Sequence, residues 1–226
     1  MARPESPIIS RERAADIALD IIDTLGLEKL SLRLVAARMG VKGASLYHHF
    51  KDRDDVLRQV AKLLLGKNEP LPPIKTVTSW KQVLIDVCRS SWRSVLRHPN
   101  AAPLVLQFFP KHVLVYTYEY WTGLLASGGI PASQHLWILE GSSRLTFGSA
   151  LFAAASRSRG LAPFPDFDQG KFPNLHAAIR ANTYNDEETF LKTLTAFLDA
   201  FPDAPDAAEA KTPAAARRPS RTKALT

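Results

Sequence analysis

The stretch "SLRLVAARMGVKGASLYHHFKDRDDVL", residues 31–57, decides the fold. Ser31 is a good helix cap, and Leu32, Val35, Ala36 and Met39 follow at helical spacing until Gly40, a residue able to take the positive φ of a sharp turn. A second short helix then covers about 42–50, and Asp52 caps a further one carrying Val56, Val60 and Leu64. Two short helices joined by a glycine-containing turn make a helix-turn-helix, whose second helix fits the DNA major groove. At about 100° per residue, Gly43, Leu46 and Phe50 of that helix face inward, while Ala44, Ser45, Tyr47 and His48 face out. The outward set is small at its N-terminal end, which permits close approach to the groove, and it offers hydroxyl and imidazole groups to bases and phosphates. Lys42 and Arg53 bracket it with positive charge, Arg33 sits in the first turn of the preceding helix, and the helix start behind Ser31 attracts phosphate. His48 and His49 point about 100° apart and make a poor metal pair. No metal site and no cofactor is expected.

Upstream of this stretch, Ser10 caps a helix with Ala14, Ile17, Ala18, Ile21, Ile22 and Leu25 on one side, stopped by Gly26. Downstream, a connecting helix leads into the proline-rich run "GKNEPLPPIKTVTS" at 66–79. Helical patterns then cover about 80–97, 100–109, 110–126, 131–157, 174–182 and 186–201, with 160–174 as loop. The pattern over 186–201 places Phe190, Leu194, Phe197, Leu198 and Phe201 on one stripe. No segment alternates long enough to insist on a strand, so the chain reads as all-α. Counting the connecting helix with the larger part gives a DNA-binding domain at 1–54, a helical domain at 55–201 and a tail at 202–226. The tail has almost nothing to bury and is expected to be disordered.

The 226 residues are 46% hydrophobic and 23% charged, as in ordinary globular proteins, and the length suffices to bury a real core. A net charge of +7 favours a polyanionic partner without proving one. No apolar run reaches the roughly 18 residues of a membrane span and the start lacks a signal-peptide core, so a cytoplasmic protein without membrane partner is expected. Cys88, the single cysteine, reads as a buried inert thiol. Neither G-x-S-x-G, H-E-x-x-H nor a phosphate-cradling glycine loop occurs, and an enzyme is not expected.

The elements L-R-x-V-A, G-V, L-Y-x-H-F-x-x-R and a following leucine, spread over 31–57 with the helix before them, resemble the DNA-binding domain of the TetR family of bacterial transcriptional regulators. The resemblance covers about 10–65. It implies a three-helix DNA-reading head, a fourth, connecting helix, and a larger helical ligand-binding and dimerisation domain, acting as a homodimer on a palindromic, double-stranded operator. One departure is local: Gly43 and Ala44 stand where many relatives carry larger polar side chains, which shifts base reading toward Lys42, Ser45, Tyr47 and His48.

Residues 80–152 are rich in aromatics that either fill a core or line a pocket with polar tips. The resemblance implies a cavity for a small effector there, and Trp92, His112, Tyr116, Trp137 and Arg144 are its candidate lining. Arg144, amid apolar residues, pairs either with a ligand anion or with Glu140 one turn earlier. The helices over 131–157 and 186–201 resemble the family's dimerisation pair, and the small residues of "GSSRLTFGSALFAAAS" suit close packing, across a two-fold axis or within the chain. The expected function is a repressor released from its operator by a hydrophobic or aromatic ligand. An activator, a regulator that needs its ligand to bind DNA, and a helical adaptor that has lost DNA reading are the alternatives.

Overall fold

The computed structural model describes residues 10–65, 71–108, 111–159 and 164–201. Among them the chain is all-α, with ten helices in the order α1 (Arg11–Leu25), α2 (Leu32–Met39), α3 (Gly43–Tyr47), α4 (Arg53–Leu64), α5 (Trp80–Arg97), α6 (Leu104–Gln107), α7 (Lys111–Ser127), α8 (Ala132–Arg159), α9 (Pro173–Ala181) and α10 (Asp186–Asp199). No helix is both long and apolar enough to cross a membrane among the described residues.

Local chemistry sets the helix starts. The hydroxyls of Ser10, Ser31 and Ser79 accept the N–H groups of Arg13, Leu34 and Gln82, and the Asp52 carboxylate accepts that of Asp55 at 2.8 Å. Asn185 and Glu188 close a reciprocal capping box at 2.9 Å in both directions. Gly40 ends α2 at φ 71°, the left-handed region that a larger side chain enters at a cost. It turns the chain sharply into α3.

Three elements differ from the sequence pattern. α3 stops at Tyr47 because Leu46 carbonyl takes both the His49 and the Phe50 N–H, closing the helix so that Phe50 can reach the core and Asp52 can open α4. α6 shrinks to four residues, since 98–103 form turns that bury Ala101 and Ala102. The apolar stripe of α10 does not face outward: Phe190, Leu194, Leu198 and Phe201 are buried within the single chain. The expected disorder of 202–226 lies outside the described residues.

α1 and α4 pack across each other, with Ala14, Ala18, Ile21, Ile22, Val56 and Val60 between them and Leu46 and Phe50 beneath. The larger part is built on α8, which packs on α5, α7 and α10. Gly141 of α8 has no room for a β-carbon, which would collide with the Phe197 ring of α10, so glycine sets that close approach. α4 reaches both parts, touching α1 along its length and α5 and α6 beyond.

Candidate nucleic-acid interface

The turn Gly40-Val41-Lys42 leads into α3, which is anchored by two side chains. Leu46 and Phe50 are fully buried, whereas Lys42, Ala44, Tyr47 and His48 are exposed and Gly43 and Ser45 half-buried. Tyr47 is 60% exposed, a large aromatic ring held out to solvent beside the His48 imidazole. Arg33, also exposed, stands in the first turn of α2, and Ser31 spends its hydroxyl on the cap. The start of α2 and the outer side of α3 thus both present exposed polar or cationic groups.

Arg53 lies elsewhere. Its guanidinium donates to the carbonyls of Leu30 at 3.1 Å and Leu27 at 2.9 Å, stapling the start of α4 to the connection between α1 and α2. Both carbonyls sit outside α1 and α2; that of Leu27 also accepts the Leu30 N–H at 3.1 Å. Sequence reasoning placed Arg53 with the groove-facing charges; the geometry commits its donors to the backbone.

A second arginine holds the same region. Arg11 of α1 pairs with the Asp55 carboxylate, donates to the His49 carbonyl and lies 4.4 Å above the Phe50 ring. Asp55 also accepts the Lys51 N–H at 3.2 Å. The hydrogen bond from Arg11 is the main reason that the Asp55 carboxyl sits below the usual carboxylate range, against burial that raises it. Arg38 pairs with Asp20, tying α2 to α1. None of these partners was legible in the sequence, because they lie 18 to 44 residues apart.

This stable frame under an exposed short helix is the geometry of a DNA-reading helix-turn-helix. A family model described as bacterial regulatory proteins, tetR family, matches residues 16–60. Over most of its length the chain is similar to tetracycline repressor protein class D of Escherichia coli, 25% identical over 198 residues that cover 85% of this chain and 89% of that one. Residues 16–60 thus carry the DNA-binding segment of the tetR family.

Two solved structures extend the likeness to the whole regulator. ActR of Streptomyces coelicolor, in complex with actinorhodin, is 26% identical with a TM-score of 0.64, covering 86% of this chain and 98% of that one. TetR of Acinetobacter baumannii AYE superposes at a TM-score of 0.67 with 22% identity, covering 85% and 97%, and shares the fold. The chain thus joins a tetR-type helix-turn-helix at the N-terminus to a helical body that shares the fold of these regulators.

The candidate effector-lining residues are not gathered in one place. Trp92 is buried core: its ring stacks on Phe190 with centroids 5.6 Å apart, and Nε1–H donates to Ser149 Oγ at 3.1 Å. Tyr116 is 84% exposed on α7. Trp137 is 62% exposed on α8, its inner edge against Phe201. Arg144 is exposed and pairs with Glu140 at 2.8 Å. The side chain of His112 lies outside the described residues. Trp92 and Trp137 thus stand in different environments, one in the core and one at the surface.

Sequence reasoning also missed the joint between head and body. His98, just past α5, donates from Nδ1 to Asp23 Oδ2 of α1 at 2.6 Å, and Asn100 donates to the Asp23 carbonyl at 3.2 Å. Polar residues that follow a helix end were the available signal, but nothing in them names a partner on α1.

Proposed function

We propose that this regulator is a homodimeric repressor that reads a palindromic operator through α3 and is released by a small molecule. The observation that carries the reading is the division of labour around α3: Leu46 and Phe50 are buried, while Lys42, Ala44, Tyr47 and His48 are exposed. Arg33 and Lys42 supply phosphate contacts, and Ser45, Tyr47 and His48 supply groove contacts. Two such heads spaced one DNA turn apart, roughly 34–36 Å, match a palindromic site.

Dimerisation is assigned to the outer face of α8, where Trp137 and Phe152 are exposed, the latter by 83%, and lie within about 60° of each other at helical spacing. The small-molecule arm is supported by the likeness to ActR in its actinorhodin complex. A cytoplasmic location and the lack of enzymatic activity follow from the same reading.

The test is a gel shift with DNA flanking the protein's own coding region. Tyr47→Ala and His48→Ala should each weaken binding by roughly 1–3 kcal/mol per lost contact, with the helical circular dichroism unchanged. Unchanged affinity in both variants refutes the assigned face, and failure of the wild type on every fragment favours an adaptor that no longer reads DNA.

A further inference from the structure

α5 and α8 pack along a seam whose buried polar groups are small. Cys88 and Trp92 of α5 meet Thr146 and Ser149 of α8 there, and Ser142 and Thr146 of α8 are buried. Thr146 donates from Oγ1 to the Ser142 carbonyl at 2.7 Å and also hydrogen-bonds Cys88, which places its side chain against α5. Ser142 stands one turn before Thr146 on the same side of α8. It is 1% exposed, and its hydroxyl has no hydrogen-bond partner. A buried hydroxyl without a partner is costly, and native proteins keep few of them.

The seam is also free of fixed charge. Among the described residues the buried polar set is Ser91, Ser94, His135, Ser142 and Thr146, and the His135 ring is already bonded to the Ile130 carbonyl at 2.8 Å. The nearest cations on α5, Arg89 and Arg93, are exposed in part and both held by Glu187. An ionised ligand buried here would therefore lose its hydration and find no counter-charge.

Resting on the small-molecule reading above, we infer that the effector is a neutral, flat, apolar molecule bearing a hydrogen-bonding oxygen, taken up between α5 and α8 with the Ser142 hydroxyl fixing its orientation. Entry requires α5 to part from α8, which breaks the Trp92–Ser149 hydrogen bond and must be repaid by the contacts the ligand makes. Ser142 has no bond to break and one to gain. The movement has a route to the DNA-reading head, because α5 ends at His98, which holds Asp23 of α1, and continues into α6, which touches α4.

The experiment uses the full-length protein and three probes with one ring system: naphthol, naphthoate and naphthylmethylammonium. Binding is followed by intrinsic fluorescence, since Trp92 borders the seam, and operator release by gel shift. Naphthol should quench fluorescence and weaken operator binding, while the two ionised probes do neither. Ser142→Ala should reduce naphthol affinity about tenfold and leave the thermal midpoint unchanged or higher, because it deletes an unpaired hydroxyl; a serine with a purely structural bond would lower the midpoint instead. Release of operator by naphthoate or naphthylmethylammonium overturns the inference and leaves the small-molecule reading standing. Unchanged naphthol affinity in Ser142→Ala removes Ser142 from the site. If none of the three probes binds, the inference falls, and the small-molecule reading is then judged separately with actinorhodin as the probe.

Discussion

His98 Nδ1 and Asp23 Oδ2 are 2.6 Å apart, bridging 75 residues of sequence and two parts of the molecule. The carboxylate can only accept, so the imidazole proton sits on Nδ1 and points into α1. The other oxygen, Asp23 Oδ1, is buried without a hydrogen-bond partner, so this acid depends on His98 and on little else. Removing either side chain should loosen the head on the body. In a double-mutant cycle of Asp23→Asn and His98→Ala, urea denaturation should return a coupling energy of about 1 kcal/mol, and a value near zero would show the contact to be idle.

Arg53 and Lys42 should part company under mutation. Arg53→Ala removes the side-chain partner of the Leu30 carbonyl and one of the two partners of the Leu27 carbonyl and should lower the stability of the head by about 1–3 kcal/mol. Lys42→Ala removes only an exposed charge. It should leave the melting curve alone and reduce the slope of log affinity against log salt by about one. The two readouts, calorimetry and salt-dependent gel shift, should each respond to one variant only.

Acid should weaken the frame around α3 first. The Asp55 carboxyl is depressed chiefly by its hydrogen bond from Arg11, and the Glu187 carboxyl chiefly by its hydrogen bond from Arg93, with Arg89 contributing. A carboxyl whose folded value lies below its unfolded value gives stability that is complete above the ordinary range of about 4 and is lost as pH falls through the folded value. Stability should thus decline on acidification below about pH 4, and Asp55→Asn should flatten that decline while costing about 1 kcal/mol at neutral pH, since Arg11 is partly exposed. Urea midpoints measured across the acid range give the comparison.

The two apolar faces of the body should fail differently when charged. Phe152→Asp alters an exposed ring and should yield a folded monomer on size-exclusion chromatography. Leu194→Arg drives a charge into the fully buried seam of α10 and should unfold the body, at a cost of several kcal/mol. A folded monomer from Leu194→Arg would place the dimer seam on α10 instead.

The reading head was legible in the sequence because its signals are local: a serine or aspartate cap, a glycine stop and an apolar repeat within eight or twelve residues specify α2 and α4 outright. The outward set of α3 followed from rotation alone, and Leu46 and Phe50 are indeed the inward pair. Arg53 was misread because a side chain that folds back on carbonyls 23 and 26 residues earlier looks, in sequence, like any surface cation. The effector region was less legible still. A periodic aromatic names a buried face without naming what covers it, so Trp92, stacked on Phe190 nearly a hundred positions away, and Trp137, open to solvent, carry the same signature.

The anchoring of α3 by Leu46 and Phe50 alone has an evolutionary consequence. Ala44, Tyr47 and His48 contribute almost nothing to packing, so they are free to vary without threatening the fold, and a new DNA preference requires no compensating change in the core. Arg11, Asp55 and Arg53 bear the opposite constraint, since each holds at least two partners elsewhere in the head. Recognition and robustness are thus encoded by separate residues, and descendants of such a chain can diverge in the promoters they control while inheriting the same scaffold.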